Sequence, residues 1–196
     1  MAKNQTATDR RKKVIVALDV DDSKNCEKIL SSLKGQVSIF KIGLELFTAC
    51  GPKIVERVQK TGAKVFLDLK FHDIPNTAAS ACRMAVRLGV FMMNVHASGG
   101  LTMMQWAAKH TAAEAKRLGI PAPILLGVTV LTSFSQRELR DEIGIERPLK
   151  EEVIHLAGLA EYADLDGVVA SAHELEAIRL KVRKDFIVVT LGIRPA

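Results

Sequence analysis

Five ionisable residues stand where an otherwise apolar sequence has little reason to carry charge. Asp68 and Lys70 sit two apart at the end of the run 64–70, and Asp73 follows shortly after. Asp19 ends the run 14–19, and Lys41 lies near the end of 37–42. In an extended strand, residues i and i+2 share a face. Phe66, Asp68 and Lys70 are therefore expected to point one way, and Leu67 and Leu69 the other. Burying any of these charges unpaired would be expensive, so they should pair with one another or with a ligand. An acid–base–acid row holds a lysine charged beside carboxylates. That suits proton delivery to a carbanion or the handling of an anionic substrate. A structural salt-bridge cluster is the plainer reading of the same residues.

The elements that must position these groups alternate along the chain. β-branched runs at 14–19, 37–42, 64–70, 90–95, 124–130, 167–170 and 186–190 read as strands. Amphipathic stretches between them read as helices: 23–33 with Asp22 or Ser23 as cap, 52–60, 76–88, 101–117, 135–142 with 150–162, and 173–182. Repeated βα units imply parallel strands with right-handed crossovers. Seven strands in series, with no GxGxxG turn after the first, favour an α/β (β/α)₈ TIM barrel over an open doubly wound sheet. The eighth βα unit is missing from the given chain on this reading. The expected organisation is a basic tail over 1–13 and a single barrel domain over 14–196, C-terminally incomplete. In a barrel the carboxyl ends of the strands form the active-site mouth. Asp19, Lys41, Asp68 and Lys70 all fall there.

The chain has 196 residues, 48% hydrophobic and 26% charged, which is the composition of a folded globular protein. It has no apolar run long enough to span a membrane and no secretory leader pattern, so no membrane partner is expected. The net charge is +6, but residues 1–13 hold five basic side chains against one acid and account for +4 of it. Basicity confined to a short tail argues against a nucleic-acid partner. Three widely spaced cysteines, Cys26, Cys50 and Cys82, form no zinc or disulfide pattern. They are expected to be buried reduced thiols of a cytoplasmic protein.

The string Asp68-Leu-Lys-Phe-His-Asp-Ile-Pro-Asn-Thr77 closely resembles the active-site signature of the orotidine 5′-phosphate decarboxylase family. Ala17-Leu-Asp19, Phe40-Lys-Ile-Gly43, Asn94-Val-His-Ala-Ser-Gly-Gly100, Val128-Thr-Val-Leu-Thr-Ser133, Asp166-Gly-Val-Val169 and Gly192-Ile-Arg-Pro195 occur in the family's order. The resemblance spans essentially residues 14–195. It implies decarboxylation of orotidine 5′-phosphate to uridine 5′-phosphate in pyrimidine biosynthesis, with no cofactor and no metal. Lys70 would protonate C6 of the pyrimidine, and Asp68 would face the substrate carboxylate. Lys41 would complete the Lys–Asp network and touch the ribose. Asp19 would bind a ribose hydroxyl, Thr132 the pyrimidine side and Arg194 the phosphate side. Asp73, with Ile74 and Thr77, would be contributed to a neighbouring subunit's site, which implies a homodimer with shared sites. A looser Asp-x-Lys-x-x-Asp pattern also fits magnesium-dependent sugar-phosphate lyases of the hexulose-phosphate synthase type. A non-catalytic nucleotide-phosphate binder is the third reading.

The sequence departs from the family at Leu191, where proline is expected, and in lacking the eighth strand with its Gly-Arg phosphate grip. An open barrel would leave strands 1 and 7 as edges. His72 is expected to serve its loop and His96 to line the wall of the mouth. His110, His155 and His173 are expected on helices in surface or structural roles. Gly99-Gly100 reads as a tight turn, the paired methionines at 92–93 and 103–104 as core, and Ser133 as lacking a base that would make it a nucleophile.

Overall fold

The computed structural model describes residues 13–192, so Arg194 and nearly all of the basic tail lie outside the described residues. Seven strands alternate with helices. They are β1 (Ile15–Ala17), β2 (Ile39–Gly43), β3 (Lys64–Phe71), β4 (Met92–His96), β5 (Ile124–Val128), β6 (Gly167–Ser171) and β7 (Ile187–Leu191). The helices are α1 (Ser23–Ser32), α2 (Leu44–Cys50), α3 (Lys53–Gln59), α4 (Pro75–Arg87), α5 (Leu101–Leu118), α6 (Gln136–Asp141), α7 (Leu149–Tyr162) and α8 (Leu175–Lys181). The sheet order is β1 to β7 without a jump. That is the order of a (β/α)₈ barrel, with seven of its eight strands among the described residues.

The chain divides into two compact units. One holds the described residues up to Leu69 together with Met84–Met93; the other holds Lys70–Arg83 and the described residues from Asn94 onward. In the first unit, β1 pairs with β2 and β2 with β3, both parallel, with Ala17 opposite Lys41 and Gly43 opposite Asp68. Its core is Leu18, Ile42, Leu46, Ile54, Val58, Phe66 and Leu67, all essentially inaccessible. Phe66 and Leu67 are both buried although they point to opposite faces, as expected of a parallel strand covered on both sides. The N-terminus of α1 is closed by Asp22, whose carboxylate accepts the Asn25 N–H at 2.8 Å.

In the second unit, β5, β6 and β7 pair in parallel around Leu126, Val168, Leu165 and Phe186. Asp166 ties the starts of all three strands. Its Oδ2 accepts the Leu125 N–H at 2.7 Å, its own N–H donates to the Leu125 carbonyl, and its carbonyl accepts from Ile187. Ser135 and Glu138 form a reciprocal capping box at the start of α6. The strands at the two ends of the sheet order are less covered than the others: β7 is half-buried along its whole length.

The elements and the cysteines depart from the sequence expectation in three places. Helix α2 follows β2 directly, where no helix was expected, so the single helix predicted over 52–60 is preceded by another. The segment 173–182 divides into a 3-10 turn, Ala172–Glu174, and the helix α8, so His173 sits in the exposed turn. Cys26 and Cys82 are buried free thiols, but Cys50 at the end of α2 is only half-buried. Burial pushes the Cys26 thiol up to about 11 and the Cys82 thiol up to about 12.

Gly167 opens β6 against the backbone of β7. A Cβ there would lie 2.2 Å from the Ile187 carbonyl oxygen, and a backbone atom cannot swing aside. Gly167→Ala is therefore expected to lower unfolding free energy by about 1–3 kcal/mol, the usual cost of forcing extra volume into a packed site. Urea denaturation would read it as a lower midpoint with an unchanged slope.

Candidate active site

The first unit carries an ion-pair row built by its three strands. Lys41 Nζ lies 3.2 Å from Asp19 Oδ1 and 3.4 Å from Asp68 Oδ2. The environments differ sharply. The Asp68 side chain is 6% exposed, Lys41 14% and Asp19 69%. Lys41 thus links a carboxylate in the protein interior to one in water. Parallel register makes this possible, because it carries the carboxyl ends of β1, β2 and β3 to the same side. Gly43 makes room: a Cβ on it would stand 3.2 Å from Lys41 Nζ.

The second unit carries Lys70. Its φ is +51°, in the left-handed region that side chains other than glycine seldom adopt. The simple alternation that placed Phe66, Asp68 and Lys70 on one face therefore does not extend to Lys70, although β3 continues to Phe71. The Lys70 backbone N–H donates to Asn94 Oδ1 at 2.8 Å, and Asn94 is fully buried on β4. The sequence reading gives Asn94 no role; the signal that marks it is a lone amide inside the apolar run 90–95.

Lys70 and Thr132 line one pocket of about 210 Å³, with Val128, Val169, Ala170 and Leu191 among its apolar walls. All of these residues belong to the second unit. The cavity is below the roughly 300 Å³ at which sites enclose a drug-sized ligand, and it suits one small ring. Leu191, the residue that departs from the family pattern, forms part of this wall. Ser133 lines it as well.

Asp73 and Ile74 form the turn into α4, and Thr77 lies in its first helical turn. Asp73 Oδ1 accepts the Ile74 N–H at 2.6 Å, and the Thr77 N–H donates to the Ile74 carbonyl at 3.0 Å. Ile74 projects into solvent, 67% exposed. The rings of His72 and His96 lie 5.3 Å apart and tilted. Gly99 packs so closely on His72 and Met103 that a Cβ would be 3.2 Å from the first and 2.3 Å from the sulfur of the second. Gly99 ends the 3-10 turn Ala97–Gly99 and Gly100 follows at φ +86°, which supports the tight-turn reading of Gly99-Gly100. His110 is held structurally, its Nδ1 3.1 Å from the Arg83 guanidinium. Among the described residues no three His, Cys, Asp or Glu side chains cluster as a metal site would require. None of their helices is long and apolar enough to cross a membrane.

Known proteins with similar sequences point to one family. The family model described as "Orotidine 5′-phosphate decarboxylase / HUMPS family" matches residues 12–196. The orotidine 5′-phosphate decarboxylase of Moorella thermoacetica is 53% identical over 184 residues, covering 94% of this chain and 73% of that protein. The enzyme of the same name from Syntrophomonas wolfei is 47% identical and covers 95% of this chain and 78% of its own length. A solved structure of orotidine 5′-phosphate decarboxylase from Lactobacillus acidophilus superposes with a TM-score of 0.85 at 39% identity, covering 94% of this chain and 82% of that one.

The ion-pair row predicts unequal costs of removing its members. Lys41→Met takes a cation away from the buried Asp68, and should destabilise by about 3 kcal/mol, the low end of the cost of breaking a buried pair. Asp19→Ala removes only an exposed partner and should cost about 1 kcal/mol or less. Urea midpoints of the two variants would test the ranking; equal losses would contradict it.

Proposed function

Since the chain belongs to the orotidine 5′-phosphate decarboxylase / HUMPS family, we propose that Lys70 is the group that protonates the pyrimidine in its reaction. The reaction is the decarboxylation of orotidine 5′-phosphate to uridine 5′-phosphate, in pyrimidine biosynthesis. The observation that carries the assignment is the pocket that Lys70 shares with Thr132. It is a small, largely apolar cavity whose polar lining residues are one lysine and the hydroxyl side chains Thr132 and Ser133.

The chemistry needs such a group. When the C6 carboxylate leaves as CO₂, its bonding pair stays on C6 as a carbanion. A positioned ammonium stabilises that charge as it develops and then transfers a proton to C6, completing uridine 5′-phosphate. The lysine recovers its proton from solvent. Apolar walls strengthen the attraction between ammonium and carbanion, because they lower the local dielectric. Thr132 is assigned to the pyrimidine side of the same pocket.

Asp68, two residues before Lys70 on β3, is assigned to the substrate carboxylate. Its burial and its contact with Lys41 support that role, since a carboxylate fixed there costs no reorganisation during the reaction. Lys41 and the exposed Asp19 are assigned to the ribose, at the water-facing end of the row. Arg194 is assigned to the phosphate and lies outside the described residues. Asp73, Ile74 and Thr77 are assigned to the site of a second subunit in a homodimer. The outward projection of Ile74 from this turn supports that reading. Three free cysteines fit a cytoplasmic setting. Nothing observed favours the magnesium-dependent sugar-phosphate alternative.

The test is decarboxylation of orotidine 5′-phosphate in the presence of a chelator. The wild-type chain should turn over, and Lys70→Ala should lose at least about 10³-fold in kcat, within the range of a lost general acid. Asp73→Ala should also be nearly inactive. Mixing the two inactive proteins should restore about a quarter of wild-type activity, since half of the randomly formed dimers then hold one intact site. Activity in Lys70→Ala would overturn the assignment of the proton donor. A mixture that exchanges subunits yet stays inactive would overturn the shared site.

A further inference from the structure

We infer that Asn94 is a positioning residue for Lys70: its buried side chain holds the lysine's backbone in the left-handed conformation that aims the ammonium. The inference rests on the assignment of Lys70 above and concerns how that group is held in place.

Three observations meet at this point. Lys70 has φ +51°, and an L side chain pays for that conformation through the crowding of its Cβ. Lysine has no short polar side chain to compensate locally, as asparagine or aspartate would. Its backbone N–H is directed at a side chain, with Asn94 Oδ1 2.8 Å away. Asn94 itself is 0% exposed on β4, between Met93 and Val95, which are equally inaccessible. An amide in such surroundings is costly unless it is hydrogen-bonded. A hydrophobic residue would pack there more simply, so packing alone does not explain the asparagine.

One hydrogen bond offsets part of both costs. Strained backbone persists only where its surroundings determine it, and the Asn94 acceptor supplies that determination. Without it, the lysine would gain by relaxing to ordinary extended φ, and its N–H would lose its partner. Relaxation would also re-aim the Cα–Cβ bond, because side-chain direction follows the backbone. The ammonium would then leave its place in the pocket beside Thr132. Asn94 acts on the reaction only through Lys70.

The test compares wild type with Asn94→Leu, which keeps the volume and removes the acceptor, and with Asn94→Asp, which retains an oxygen in the same place. Amide hydrogen exchange is followed residue by residue alongside steady-state kinetics. In wild type the Lys70 amide should be protected like its neighbours on β3. In Asn94→Leu its exchange should accelerate at least tenfold more than that of Val65 or Leu126, while kcat falls about 10- to 100-fold and KM changes less than threefold. Asn94→Asp should restore the protection. An unprotected Lys70 amide in wild type would overturn the inference even if no variant folds. So would a folded Asn94→Leu with wild-type kcat. A wild-type chain without decarboxylation would overturn the functional assignment instead, and the exchange data would still decide whether Asn94 holds the Lys70 backbone.

Discussion

A carboxylate in the protein interior needs a cation, and Asp68 meets that need through Lys41 at 3.4 Å. The rest of the site follows from that constraint. Lys41 can reach Asp68 only because β2 and β3 run parallel with Gly43 opposite Asp68. It can reach Asp19 only because β1 joins the same side in the same register. Gly43 keeps the volume beside the ammonium clear of a side chain. The charge row also grades from dry to wet, since Asp68 is enclosed and Asp19 stands in water. The row thus offers a solvated carboxylate at its exposed end and a fixed negative charge at its buried end.

Lys70 belongs to a different regime. Its ammonium is assigned chemistry, and its backbone is strained where the residues before it on β3 follow the strand. Strain at a residue assigned to the reaction is physically reasonable, because a site needs its groups held in one geometry before substrate arrives. The Asn94 amide contributes this hold from the core side, and the apolar walls Val128, Val169 and Ala170 limit where the side chain can go.

Much of this was legible in the sequence, for identifiable reasons. Alternating β-branched and amphipathic segments gave the strand and helix order, because period 2 and period 3.6 are written in the apolar residues themselves. Asp22 was legible as a cap because an aspartate before a helical pattern satisfies orphan N–H groups. Helix α2 was not legible: seven residues starting directly from the end of a strand leave no turn signal and less than two full helical periods. The site was legible as a set of residue types at strand ends. The left-handed backbone at Lys70 was not, since nothing in lysine favours it and the cause lies 24 residues away in Asn94. Local pattern cannot report a conformation imposed by a distant amide.

The most direct measurement is an experimental structure of the chain with uridine 5′-phosphate bound. Lys70 Nζ is expected about 3–3.5 Å from C6 of the pyrimidine, the separation of a near-attack arrangement, with Lys70 still at positive φ and Thr132 beside the base. A bound nucleotide whose C6 lies beyond hydrogen-bond reach of Lys70, with another acid against it, would contradict the account.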